Sequence, residues 1–268
     1  MDLRSASNRQ KTLLRKLNRK KYRKQEQLFL LEGARAVEQL LENKTIRVKA
    51  LFFDESQQYW EQQRWGSRIQ RLEAFTLAED IYAEVTDTDN PQGVLALCHI
   101  PDEVSTNDLV NRQGLIVALD GVQDPGNLGT IIRTASWFGA SGLISGKGTV
   151  DLFHPKVVRG TAGATGVISH RNGDLAQELL MFESAGWPIY LLDAGDGSEP
   201  LAEISSLKKG VIVVGNEAHG VDEQLLTSNR QKLRIPAPES GPGVESLNAA
   251  VATSIALYDL SAKLEAEG

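Results

Sequence analysis

Three loops hold most of the side chains whose types and spacing could do chemistry. The first, Asp120–Ala135 (DGVQDPGNLGTIIRTA), joins the turn signal Asp124-Pro125-Gly126 to Asn127, which can cap the helix that follows, and to Arg133 near that helix's second turn. The second, Gly215–Gly220 (GNEAHG), has glycines that let backbone approach a ligand closely, and Glu217 offers a carboxylate. The third, Arg234–Asn248 (RIPAPESGPGVESLN), is forced into an irregular path by proline and glycine, and Glu245 or Ser246 suits the N-cap of the helix beyond it. Each loop follows an apolar run that reads as a strand or precedes a helix. Crevices beyond the carboxyl ends of strands are where open α/β sheets bind ligands. Taken singly, each loop is equally well a capped turn.

Other chemistries fail on spacing. Gly142–Gly148 (GLISGKG) looks like a phosphate loop, but it has three residues between its first two glycines and Gly148 where a Ser or Thr magnesium ligand belongs. No G-x-G-x-x-G follows an expected strand, and no G-x-S-x-G elbow occurs, so Ser240 and Ser246 lack a hydrolase context. His99, His154, His170 and His219 are scattered without a metal-binding spacing, and Cys98 is the single cysteine. The expectation is no metal and no internal disulfide.

The elements that must position these loops form an alternating pattern. Short apolar runs at Leu115–Leu119, Gly142–Ser145, Val167–Ser169, Ile189–Leu192 and Val211–Val214 read as strands, and Leu128–Trp137 and Leu175–Phe182 read as helices between them. A long Ala- and Leu-rich helix is expected from Ser246 to about Ala266. Strands alternating with helices argue for a mostly parallel sheet covered on both faces. Upstream, residues 25–100 read as a small α/β unit. It has a helix over Glu32–Leu41 with Ala36, Val37, Leu40 and Leu41 on one face, and strands at Val48–Phe53 and Gly93–Cys98. Between those strands, Tyr59, Trp60 and Trp65 read first as core or cap residues and second as RNA-stacking ones. The polar stretch 101–114 reads as a linker, and residues 115–268 as the second domain.

Charge is unevenly spread. The 268-residue chain has a net charge of −6, yet residues 1–24 carry ten Lys or Arg against Asp2 alone, +9, and the rest sums to −15. A cationic head on an anionic body points to a polyanionic partner. A solvated helix through Leu13, Leu14 and Leu17 is the competing reading. A membrane contact is disfavoured by a short apolar face without Trp or Phe. With 41% hydrophobic residues the chain can bury a substantial core. It has no apolar run of membrane-spanning length and no secretory cleavage pattern, so a cytoplasmic protein is expected.

Taken together the loops are far more specific. Asn127 with Arg133, Gly215 with Glu217 and Gly220, and Pro236 with Ser246-Leu247-Asn248 closely resemble, in order and spacing, the three motifs of the SpoU-type RNA ribose methyltransferases of the SPOUT superfamily. The resemblance covers Leu115 to about Leu260. A departure is Ala237 after Pro236, where relatives often carry Met. Phe29-Leu30-Leu31-Glu32-Gly33 and Pro91-Gln92-Gly93-Val94 are similar to the small RNA-binding domain often fused to these enzymes, itself similar to certain ribosomal proteins. The resemblance implies a deep trefoil knot near the C-terminus, a homodimer, and methyl transfer from S-adenosylmethionine to a ribose 2′-hydroxyl without a metal. It implies ribosomal RNA first and transfer RNA second as substrate. It places the cofactor against Gly215, Asn216, Gly220, Ile235, Pro236 and Leu247. It gives catalysis to Arg133, with Asn127, Glu217, Ser246 and Asn248 positioning the ribose or ordering a dimer-spanning site. A guanidinium stays protonated, so stabilising phosphate and alkoxide charge suits Arg133 better than acting as a base. The rival readings are a non-catalytic RNA-binding or assembly protein on the same fold, and a different Gly-rich α/β enzyme that binds another nucleotide.

Overall fold

The computed structural model describes residues 3–56, 72–86, 88, 92–237, 243 and 246–265. Tyr59, Trp60, Trp65, Pro91, Ser240, Glu245 and Ala266 lie outside the described residues. The chain divides into two compact units, residues 1–102 with 151–167, and residues 103–150 with 168–268.

In the first unit, β1 (Arg4–Ser5), α1 (Asn8–Leu17), α2 (Lys20–Glu26), β2 (Leu28–Glu32), α3 (Ala34–Asn43), β3 (Val48–Asp54), β4 (Glu73–Leu77), α4 (Glu79–Val85) and β5 (Val94–His99) follow in order. The strands form a mixed sheet ordered β1-β4-β3-β5-β2. Leu28, Leu30, Ala50, Phe52, Leu95 and Leu97 point to one face, where Leu14 and Leu17 of α1 and Tyr82 and Val85 of α4 close the core. The alternate residues Phe29, Leu31, Leu51, Phe53, Ala96 and Cys98 are buried too. A sheet covered on both faces explains why these strands read as unbroken apolar runs.

The basic head is folded onto this unit rather than trailing from it. Ser7 and Gln10 form a capping box at the start of α1. Leu14 and Leu17 are buried on its inner side, and Lys20–Glu26 forms a second helix.

The second unit holds α5 (Thr106–Val110), β6 (Gly114–Leu119), α6 (Pro125–Trp137) and β7 (Gly142–Ser145). The chain then gives residues 151–167, with α7 (Pro155–Gly160), to the first unit. It resumes with β8 (His170–Asn172), α8 (Leu175–Ser184), β9 (Ile189–Leu192), β10 (Glu199–Pro200), β11 (Lys209–Val214), β12 (Gln231–Arg234) and α9 (Ala249–Ala262). The seven strands are ordered β10-β12-β9-β11-β6-β7-β8. Every pairing between them is parallel. One face packs on Leu109, Leu175, Leu179, Phe182 and Trp187. On the other, α9 covers β6 and β11 and packs against α6.

Several sequence expectations need correction. The polar stretch 101–114 contains α5, opened by a Ser105–Asp108 capping box, and Leu109 is fully buried in the core. One apolar side chain per turn in so short a helix leaves no periodicity to detect. The strand expected at Val167–Ser169 runs instead over His170–Asn172. Among the described residues it pairs with β7 alone, at the sheet edge, where polar residues are tolerated. Helix α6 is capped by Asp124, whose carboxylate accepts the Asn127 N–H. Helix α9 is capped by Asn248, not by Ser246. No helix among the described residues is long and apolar enough to cross a membrane.

Candidate active site

Strands β9, β11 and β6 are neighbours running the same way, so their carboxyl ends open on one edge of the sheet. The loops leaving those ends line a cavity of about 840 Å³ within the second unit. Gln123, Asp124 and Asn127 come from beyond β6, Asp193 and Ala194 from beyond β9, and residues 215–220 from beyond β11; Ser246–Ala249 and Ala252 close it. The chain reverses direction across the sheet between β6 and β11, which is where doubly wound sheets place their ligands. A cavity of this volume suits a nucleoside-sized ligand.

The Gly215–Gly220 loop is a closed hairpin. The Asn216 N–H donates to the Gly220 carbonyl at 2.8 Å, and the Gly220 N–H donates back at 2.9 Å. Asn216 Oδ1 accepts from the N–H groups of Ala218 and His219 at 2.9 and 3.2 Å, while its Nδ2 donates to the Gly121 carbonyl at 2.7 Å. Gly215 allows the two arms to cross, because a Cβ there would collide with backbone at Gly220 and Val221. Gly220 sits at φ +71°, in the left-handed region.

Glu217 bridges the second loop to the first. Its carboxylate accepts from the N–H groups of Gln123 and Asp124, each at 3.2 Å, and from Asn127 Nδ2 at 3.1 Å. Partial burial alone would raise the carboxyl, but these donated bonds outweigh it and hold Glu217 below the ordinary carboxylate value. Asn248 completes the relay, donating Nδ2 to Asn127 Oδ1 at 2.9 Å. Its own Oδ1 accepts from the Ala250 and Val251 N–H groups at 2.9 and 3.2 Å. Beside the loop, half-buried Asp120 is pushed up by desolvation, although it accepts the Asp222 N–H at 2.7 Å.

The structure therefore brings together Asn127, Gly215, Asn216, Glu217, Gly220, Ser246, Leu247 and Asn248 on one cavity wall. Ile235 and Pro236 lie just past the end of β12 and outside the cavity lining. Arg133 also lies outside it, exposed in the third turn of α6 with no hydrogen bond or ion pair among the described residues. Sequence reasoning missed Asp193 and Ala194. The signal was available, because Ile189–Leu192 reads as a strand, and a strand beside β11 in a parallel sheet delivers its next residues to the same edge.

Comparison with known proteins agrees over both units. Residues 114–258 match the SpoU rRNA Methylase family, and residues 8–96 match the MRM3-like substrate binding domain. The chain is 34% identical over 257 residues to the 23S rRNA (guanosine(2553)-2'-O)-methyltransferase RlmP of Bacillus subtilis, covering 96% of this chain and 97% of that protein. It is similar to the AdoMet-bound rRNA methyltransferase from Sinorhizobium meliloti, with a TM-score of 0.81 at 30% identity over 97% of this chain and 96% of that one. It is also similar to the SpoU methyltransferase AviRb from Streptomyces viridochromogenes in complex with AdoMet, with a TM-score of 0.82 at 25% identity, covering 96% of this chain and 98% of that one. By sequence along its length and by the fold that carries this cavity, the chain belongs to the SpoU rRNA methylase family.

Proposed function

We propose that this protein transfers a methyl group from S-adenosylmethionine to a ribose 2′-hydroxyl of structured RNA in the cytoplasm, with large-subunit ribosomal RNA as the substrate, without a metal. The observation that carries the reading is the cavity at the ends of β6, β9 and β11, where the three loops meet through the Glu217–Asn127–Asn248 relay. The residues present fit the cofactor. Gly215 opens the backbone, Leu192, Val214, Leu247 and Ala252 supply apolar wall, and Asp193 and Asn216 supply polar atoms. The family resemblance places Ile235 and Pro236, just past the end of β12, against the cofactor as well. Late strands β11 and β12 each insert between earlier ones, which supports the trefoil knot that the family resemblance implies.

The cofactor, when bound, supplies a methyl group already activated on a sulfonium, so the protein's task is alignment and charge management. Asn127, Glu217 and Asn248 are committed to one another and keep the cavity wall in register; Ser246 lines the same wall. Arg133 binds the target phosphate and stabilises the negative charge that develops on the ribose oxygen. Its guanidinium has no internal partner among the described residues, which leaves it available for that work.

Arg133 acts across a homodimer. It shares a face of α6 with Trp137, one turn later and 84% exposed, and the neighbouring α9 exposes Val251, Ile255 and Tyr258. A contiguous apolar face of this kind is uncommon on a monomer, and a second copy would cover it. Ultracentrifugation should give a dimer for the native chain and a monomer for Trp137→Asp with Tyr258→Asp; a native monomer with full activity would overturn the dimer.

Incubating the purified protein with methyl-labelled S-adenosylmethionine and deproteinised bacterial large-subunit ribosomal RNA should place label on a ribose 2′-oxygen. Protein that binds the cofactor yet labels neither ribosomal nor transfer RNA would overturn the catalytic reading.

A further inference from the structure

The cations of the first 24 residues separate by what they touch. Arg23 is 2% exposed and gives Nε and Nη2 to Asp151 at 3.0 and 2.6 Å and Nη1 to the Leu17 carbonyl at 2.8 Å. Arg15 gives two nitrogens to Glu84 at 2.7 and 2.8 Å. Arg9, Lys16, Arg19, Lys20, Lys21 and Lys24 are exposed, and none pairs with an acid among the described residues. Lys16 and Lys21 lie 5.4 and 6.0 Å from the centre of the Tyr22 ring.

The two groups have different work. Arg23, with buried Leu14 and Leu17, anchors α1 and α2 to the first unit. The remaining cations then stand on a fixed surface and not on a loose tail, so little ordering entropy is lost when they are neutralised by a ligand. No large apolar side chain is exposed between residues 3 and 27, so the surface has nothing to insert into a bilayer. An array of cations without an apolar component fits a phosphate backbone.

We propose that the exposed α1–α2 face is a preorganised docking surface for the sugar-phosphate backbone of duplex RNA, held in place by the Arg23–Asp151 pair. This rests on the RNA-modifying reading above and deepens it by naming a surface of the first unit that holds the substrate's backbone. Asp151 belongs to segment 151–167, whose two ends continue into β7 and β8 of the methyltransferase unit. One stretch of chain therefore anchors the docking surface and is continuous with the catalytic sheet.

The test uses the full chain. A 20-base-pair RNA duplex is titrated at several KCl concentrations against the native protein and the Lys20→Gln/Lys21→Gln/Lys24→Gln variant, with S-adenosylmethionine affinity measured in parallel. The variant should bind RNA more weakly, with a salt slope lower by about one for each phosphate contact removed, and cofactor affinity should not change. An unchanged slope overturns the surface. Equal or tighter binding to phosphatidylglycerol vesicles than to the duplex overturns the choice of RNA. Asp151→Asn gives a second reading with an opposite sign for plain electrostatics. Losing an acid should tighten RNA binding on charge alone, whereas losing the anchor should weaken it severalfold; tighter binding overturns the anchoring role. Native protein that labels no RNA while the salt slope still falls in the lysine variant would strike the catalytic reading and leave the docking surface standing.

Discussion

Asn248 and Asn127 are 121 positions apart, and the Asn248 Nδ2 donates to the Asn127 Oδ1 at 2.9 Å. The same Asn248 side chain caps α9 through its Oδ1. One amide thus starts the last helix and locks it to the first turn of α6. The two functions use different atoms and can be separated. Asn248→Asp keeps the capping oxygen and loses the donor, so its melting temperature should stay near native while S-adenosylmethionine affinity falls. Asn248→Ala loses both, with a stability loss of about 1 kcal/mol from the cap. Equal cofactor affinity in Asn248→Asp and native protein would remove the relay from the binding argument.

Arg133 touches neither the cavity lining nor, among the described residues, an acid, so its removal should spare cofactor binding. Arg133→Ala is expected to lower single-turnover methylation at saturating RNA by on the order of 10²–10³. Arg133→Lys should rescue little, because a point-charge ammonium does not reproduce the planar fork. Near-native turnover in Arg133→Ala would make Arg133 an ordinary surface arginine.

Gly215→Ala forces a methyl group into the backbone of Gly220 and Val221. The hairpin has to open, which breaks the paired Asn216–Gly220 hydrogen bonds. The expected result is a folded protein with loss of S-adenosylmethionine binding by calorimetry. Native affinity in a folded Gly215→Ala would show that the crossing has no bearing on the pocket.

Glu217 titrates below its ordinary value because donated hydrogen bonds outweigh the cost of burial. A carboxyl depressed in the folded state adds stability above its unfolded value, about 4.3. That stability is lost as pH falls through the lower, folded value. Glu217→Gln should therefore lose that stability at pH 7 and flatten the acid limb below about pH 5, so that variant and native protein converge in acid. Parallel urea melts from pH 3 to pH 7 check this; identical acid limbs would show that Glu217 is not bonded this way in solution.

Truncation should expose the hidden helix before β6. A fragment beginning at Leu115 lacks fully buried Leu109 and the Val110 carbonyl that accepts Trp187 Nε1 at 3.1 Å. In the full chain, Leu109→Ala should cost about 2–5 kcal/mol. A loss below about 1 kcal/mol in denaturant melts would mean that α5 is not packed as described.

Local chemistry alone was enough to read the strands at Leu115–Leu119, Gly142–Ser145, Ile189–Leu192 and Val211–Val214, since parallel strands buried on both faces must be apolar throughout. It was also enough to single out the loops holding Asn127, Gly215, Glu217, Gly220 and Asn248, because turns, close backbone approaches and caps demand those residue types. Tertiary structure decided which partner each polar group found. Asn127 is not the cap of α6 but the middle of a relay, and Arg23 is not a solvated cation but a buried anchor for Asp151, 128 positions away. It also decided that residues 151–167 pack with the first unit while Leu109 joins the core of the second. The physical reason is range. Propensity, capping and periodicity act over a few residues, whereas a hydrogen bond between distant loops exists only after the sheet has brought the ends of β6, β9 and β11 to one edge.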